Sequence, residues 1–226
     1  MPDKSIFILG ASRGIGLGLA REFLSRGWSV VASERSRSED LHDLADESEG
    51  RLRIVTADVT EANSYADLGF EDASLDVIVI NAGISGAQHQ RSEEATREEV
   101  ADVMMTNAFG PAAASKALLP RLKDGGTLCV MSSLMGSISD SSGGFELYRT
   151  SKTALNMLAK GIAEQQAGPR KIEVLALHPG WVQTDMGGSS APLSVDESVC
   201  GLADVIEAAG GGGFRYVDYS GKELAY

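Results

Sequence analysis

The sequence predicts an α/β protein: one domain in which a parallel sheet of about seven strands is covered by helices on both faces. Three observations carry this. The chain has 226 residues, 43% of them hydrophobic, which is one domain's length and enough to bury about 70% of the unfolded chain's surface. Short β-branched runs alternate with longer segments of helical period. Several runs are apolar almost throughout, as strands covered on both faces are.

The runs come in order. Ser5–Leu9 opens the series, and Trp28–Ser33, Arg53–Ala57, Leu75–Ile80, Thr127–Met131 and Ile172–Leu177 continue it, with Phe214–Tyr219 as a seventh. Between them, Leu17, Leu19, Ala20, Phe23 and Leu24 recur near the helical period, as do Leu155, Leu158, Ala159 and Ile162. Strands and helices that alternate with right-handed crossovers build a doubly wound parallel sheet of Rossmann type, here a single domain over residues 1–226. Ligands in that architecture bind where strands end, so the loops after the strands hold the candidate site.

Composition narrows the partners. The net charge of −12 and the lack of a basic block argue against nucleic acid. No apolar run reaches the ~18–20 residues needed to cross a bilayer. Met1-Pro2-Asp3-Lys4-Ser5 has no basic region leading into an apolar stretch. Cys129 and Cys200 form no C-x-x-C pair, and His42, His89 and His178 have no metal-ligand spacing. These features point to a cytoplasmic protein without a metal site.

The first strand runs into Gly10-Ala11-Ser12-Arg13-Gly14-Ile15-Gly16 and then a helix. Glycines let backbone approach a pyrophosphate, and a helix N-terminus supplies amide donors and positive potential. The same stretch fits G-x-S-x-G, a nucleophile elbow, but only one strand precedes it and no earlier strand supplies an oxyanion loop. The second strand leads into Glu34 and Arg35, with Glu34 18 residues past Gly16. An acid there accepts from a ribose 2′-hydroxyl, whereas arginines clamp a 2′-phosphate. Arg13 and Arg35 together favour NADP(H) and leave NAD(H) open, with Glu34 expected to turn outward or to pair with Arg37. Asp58-Val59 and Asn81-Ala82-Gly83 end the third and fourth strands. Asp58 suits an adenine amine or a helix cap, and the small residues permit a flat ligand's close approach.

Tyr148 and Lys152 are four apart at a helix start and so share a face. A nearby ammonium favours the phenolate, which makes the pair a general acid–base. Ser133 follows the fifth strand, where a hydroxyl can donate to a substrate oxygen. Apolar spacing at Val100, Val103, Met104, Ala108, Leu118 and Leu119 predicts one long helix with Pro111 inside it, freeing the Asn107 carbonyl four residues earlier to hold a water. After the sixth strand, the Gly- and Ser-rich stretch His178–Pro192 reads as a mobile loop that closes over a site, with residues 183–195 as the substrate loop. Met135, Phe145, Trp181 and Met186 are candidate apolar pocket residues.

Taken together these residues resemble the short-chain dehydrogenase/reductase family, over essentially the whole chain and in the family's order. Gly10, Gly14 and Gly16 match its cofactor glycines, Asp58 its adenine-side aspartate and Asn81-Ala82-Gly83 its N-A-G signature. Asn107, Ser133, Tyr148 and Lys152 match its catalytic tetrad, and Pro179-Gly180 with Val182 and Thr184 its nicotinamide-side motif. Met131–Asp140, Tyr148–Asn156 and His178–Gly188 look like the C-factor and sniffer-like carbonyl reductase branch. The resemblance implies hydride transfer between a nicotinamide and a small hydrophobic carbonyl or alcohol. Tyr148 would give the proton, Lys152 would lower its pKa and bind the nicotinamide ribose, Ser133 would bond the substrate oxygen, and Asn107 would hold a relay water. It also implies a homodimer or homotetramer. The alternative is a C-factor-like signalling or nucleotide-binding protein in which turnover is not the main role.

Overall fold

The computed structural model describes residues 4–66 and 68–226. Met1–Asp3, part of the N-terminal stretch read above, lie outside the described residues. The strands are β1 (Ser5–Leu9), β2 (Ser29–Glu34), β3 (Leu52–Thr56), β4 (Leu75–Ile80), β5 (Leu122–Met131), β6 (Glu173–His178) and β7 (Gly213–Asp218). They form one parallel sheet in the order β3-β2-β1-β4-β5-β6-β7. The order reverses between β1 and β4, which opens a crevice at their C-terminal ends.

Alternate strand residues feed two cores. Ile6, Ile8, Val77 and Val79 face one layer with α1 (Gly14–Ser25), α2 (Glu39–Glu47) and α7 (Val195–Glu207). Phe7, Leu9, Ile78 and Ile80 face the other, with α3 (Ala62–Ala66), α5 (Gly110–Leu118) and α6 (Glu146–Ile162). Five of these strand residues, Ile6, Phe7, Ile8, Ile78 and Val79, are fully buried, which is why the strands read as continuous apolar runs rather than alternating ones.

Two elements differ from expectation. β5 begins five residues before the predicted Thr127, because Leu122 already pairs with Leu75 and a register shift absorbs Lys123-Asp124-Gly125-Gly126. The glycine pair that signals a turn is here an irregularity inside a strand. The single helix predicted around Pro111 is instead α4 (Arg97–Met104), a π-turn (Met105–Phe109) and α5 in sequence. The Gly110 amide bonds to the Met105 carbonyl, five residues back. Pro111 has no amide to continue the α register from Asn107, and the wider turn accommodates this.

Candidate active site

The loop after β1 is shaped by its glycines. Gly10 has φ +92° and Gly14 φ +55°, conformations that suit glycine. A Cβ on Gly16 would stand 2.1 Å from the Gly10 carbonyl oxygen and 2.9 Å from the Ala11 Cα. No side chain caps the N-terminus of α1, where Arg13 is the N-cap residue, whereas Ser38, Thr96 and Ser194 cap α2, α4 and α7. The first-turn amides of α1 therefore lie beside a close-approach loop with no side-chain cap, which fits a pyrophosphate. Ile15 packs against the core behind them.

Neighbouring loops hold this cradle. The Gly10 amide donates to Ser33 Oγ (2.8 Å), Ser38 Oγ donates to the Ser12 carbonyl (2.6 Å), and Asn81 Nδ2 donates to the Gly10 carbonyl (2.7 Å). Ala82 lies where a Gly10 side chain would go, its amide nitrogen 2.9 Å from that Cβ position. Asp58 accepts from the Thr60 amide (2.9 Å) and hydroxyl (2.8 Å), and its other oxygen is 3.6 Å from Arg35. Burial would raise its pKa, but the Thr60 hydrogen bonds and Arg35 outweigh that and hold the carboxyl below its usual range. Val59 is buried, its carbonyl packed against Gly110.

Glu34 departs from expectation. It neither turns outward nor pairs with Arg37. It is buried, accepting from the Ser38 amide (2.7 Å) and facing His42 Nε2 (2.9 Å). The end of β2 points the side chain in toward the start of α2, where an amide donor compensates its charge. Arg37 instead grips Glu39 (2.8 and 3.1 Å). Arg35 and Arg13 are the exposed members, with Arg13 2.9 Å from Asp185.

The catalytic candidates converge one strand away. α6 places Lys152 Nζ 5.6 Å from the centre of the Tyr148 ring, and that ammonium donates to the Met131 carbonyl at the end of β5 (2.7 Å). Burial brings the Lys152 pKa down to about 8. Burial also pushes the Tyr148 phenol up, with a hydrogen bond to Ser133 opposing it. That direction is opposite to the one expected from Lys152, because desolvation is the larger effect here. A Cβ on Gly83 would lie 3.3 Å from Asn107 Oδ1 and 3.4 Å from Lys152 Nζ, so the end of β4 adjoins both. The Asn107 side chain clamps the backbone of Ile84, accepting from its amide and donating to its carbonyl (both 2.8 Å), and also donates to Ser151 Oγ (3.0 Å).

The loop after β6 crosses over the cradle. Thr184 Cγ2 lies 3.4 Å from the Cβ position of Gly14. The Pro179 carbonyl accepts from Ser198 Oγ (2.6 Å), and a Cβ on Gly180, at φ +84°, would meet Leu193 at 2.3 Å. Residues 183–195, expected to be mobile, are tied internally: Val182 bridges Leu193, Gln183 donates to the Leu193 carbonyl (2.9 Å), and Gly187 donates to Thr184 Oγ1 (3.1 Å). Phe145, Trp181 and Met186 are exposed and Met135 is partly buried.

Two positioning residues escape sequence reasoning. Gln90 anchors the start of α6: its Oε1 accepts from the Tyr148 amide (3.0 Å) and its carbonyl accepts from the Glu146 amide (2.9 Å). It lies 58 residues before Tyr148, and a glutamine in a loop carries no local signal. Tyr216 on β7 is buried and donates its hydroxyl to the Ser133 carbonyl. Burial pushes its pKa up to about 12. A buried tyrosine that needs a partner is a general expectation, but only strand order shows that the partner is Ser133.

The short chain dehydrogenase family model matches residues 4–192. The chain is 37% identical over 160 residues to C-signal of Myxococcus xanthus, covering 67% of this chain and 93% of that protein. A short-chain dehydrogenase/reductase of Burkholderia multivorans, solved with bound NADP, superposes at TM-score 0.94 with 38% identity and full coverage of both chains. The carbonyl reductase Sniffer of D. melanogaster superposes at 0.90 with 33% identity, covering 99% of this chain and 100% of that one. Among the described residues no helix is long and apolar enough to cross a membrane. With its glycine cradle, its Tyr148–Lys152 pair and a family match across most of its length, the chain belongs to the short-chain dehydrogenase family.

Proposed function

We propose that this protein is an NADP(H)-dependent carbonyl reductase or alcohol dehydrogenase acting on small hydrophobic substrates. The observation that carries this is the convergence of Ser133, Tyr148 and Lys152 at the ends of β4 and β5, beside the glycine cradle. A binding protein needs the cradle but not these three side chains together. The nucleotide would lie on Gly10–Gly16, with Asp58 and Val59 at its adenine end. Asn81, Ala82, Gly83, Pro179, Gly180, Val182 and Thr184 would flank its nicotinamide end. Bound there, it supplies the hydride.

The chain's own residues handle the proton and the alignment. Tyr148, kept protonated by burial, donates from its phenolic oxygen to the carbonyl oxygen. Ser133 Oγ bonds the same oxygen and fixes its direction. Lys152, its pKa brought down to about 8 by burial, holds the nicotinamide ribose and supplies positive charge as the phenolate forms. Asn107 shapes the path behind Lys152, where its π-turn carbonyl holds the relay water. Phe145, Trp181 and Met186 form an apolar mouth, with residues 183–195 as the substrate loop. Exposed Val100, Met105 and Phe109 along α4 and the π-turn support assembly of copies into a homodimer or homotetramer.

The likeness to C-signal favours a second reading, signalling without turnover. Retention of the three catalytic side chains ranks turnover first. The discriminating experiment is NADPH and NADH oxidation across a panel of aldehydes and ketones. Turnover of at least one apolar carbonyl is expected, and nucleotide binding without turnover on any of them would favour the signalling reading.

A further inference from the structure

Glu34 stands where an acid in a Rossmann-type site accepts from the ribose 2′-hydroxyl, yet its carboxylate is engaged elsewhere. One oxygen takes the Ser38 amide and the other faces His42 Nε2. His42 Nδ1 lies 3.1 Å from Arg37 Nη1. A guanidinium only donates, so Nδ1 accepts and the ring proton sits on Nε2, aimed at Glu34. Arg37 is itself gripped by Glu39. At the other end, Ser38 Oγ donates to the Ser12 carbonyl of the glycine loop. A continuous chain of hydrogen bonds thus runs from Glu39 through Arg37, His42, Glu34 and Ser38 into the cradle. Arg35 and Arg13 stay outside it, their side chains 76% and 78% exposed.

We propose that His42 is a specificity-determining residue: it holds Glu34 against the start of α2, keeps that carboxylate off the ribose 2′ position, and leaves Arg35 and Arg13 to receive a 2′-phosphate. The proposal rests on the reading that the cradle binds NADP(H). It explains how a chain with an acid at the end of β2 accepts a phosphate that the acid would otherwise repel. His42 is half-buried and acts only through Glu34. Losing it leaves one carboxylate oxygen unpartnered, and the side chain regains water by rotating toward the ribose.

The test is direct titration of NADPH and NADH against the native protein, His42→Leu, Glu34→Gln and the double variant. The native protein is expected to bind NADPH more tightly. In His42→Leu the NADPH-over-NADH ratio of affinities falls about tenfold, and adding Glu34→Gln restores it. Glu34→Gln alone changes the ratio less than threefold, because the native carboxylate is already held away. That single, near-isosteric variant decides the matter if His42→Leu fails to fold: a tenfold rise in NADPH preference would show that native Glu34 already opposes the phosphate, and would overturn the proposal. An unchanged ratio in folded His42→Leu would also overturn it while leaving the cofactor reading intact. A native protein that binds neither nucleotide overturns the cofactor reading itself.

Discussion

Replacing Lys152 with methionine is expected to make the protein more stable and less active. The ammonium is fully desolvated inside the fold, and its pKa falls from 10.5 to about 8. Each pKa unit is worth about 1.4 kcal/mol, so burying the charged form costs about 3 kcal/mol at pH 7. Methionine keeps a similar stem but forfeits the hydrogen bond to the Met131 carbonyl, a loss of about 1 kcal/mol. The net expectation is a gain of about 2 kcal/mol at pH 7. The pH dependence identifies the cause. Between pH 8 and 10.5 the unfolded chain holds the lysine proton more firmly than the folded one, so native stability rises with pH. The penalty is complete below pH 8 and is relieved as pH climbs toward 10.5. The gap between variant and native should therefore narrow by about 1 kcal/mol at pH 9 and by about 2 kcal/mol at pH 10. Urea unfolding of both proteins at pH 7, 9 and 10 measures this, and taking their difference cancels the titration of buried tyrosines and cysteine. Parallel stabilities across that range, or a variant less stable at pH 7, would mean that the buried ammonium carries no such penalty.

Two further substitutions test the cradle and the buttress. Gly16→Ala should cost roughly 1–3 kcal/mol or more, because its Cβ meets the Gly10 carbonyl and the Ala11 Cα as well as the Asn81 side chain, and it should abolish nucleotide binding; thermal unfolding and nucleotide titration check both. Tyr216→Phe removes one of the two donors to the Ser133 carbonyl and leaves the Gly136 amide, with an expected stability loss of about 1 kcal/mol. If Tyr216 positions Ser133, kcat should drop while nucleotide affinity stays unchanged, and a normal kcat would make the tyrosine merely structural.

Legibility in the sequence followed how local each cause is. Strands buried on both faces announce themselves as apolar runs, so β1 and β4 match residue for residue. Gly10 and Gly16 are readable because a close approach leaves no room for a Cβ, and Gly14 because its φ of +55° suits glycine. Tyr148 and Lys152 were readable because four residues on a helix bring two side chains to one face. The destination of Glu34 was not legible, since it depends on an amide and an imidazole that α2 brings to it after folding. Gln90 and Tyr216 act across 58 and 83 residues respectively, and only the topology joins them to their partners. The Pro111 distortion is legible in the sequence but its form is not, because the i→i+5 bond from the Gly110 amide to the Met105 carbonyl forms only in the folded helix.

Single-turnover hydride transfer from NADPH to a carbonyl that the native enzyme reduces, measured for Tyr148→Phe alongside a nucleotide titration, separates proton transfer by Tyr148 from nucleotide binding by the other residues. Hydride transfer is expected to be lost while NADPH affinity stays within a few-fold of native. Near-native hydride transfer in Tyr148→Phe would contradict proton transfer by Tyr148.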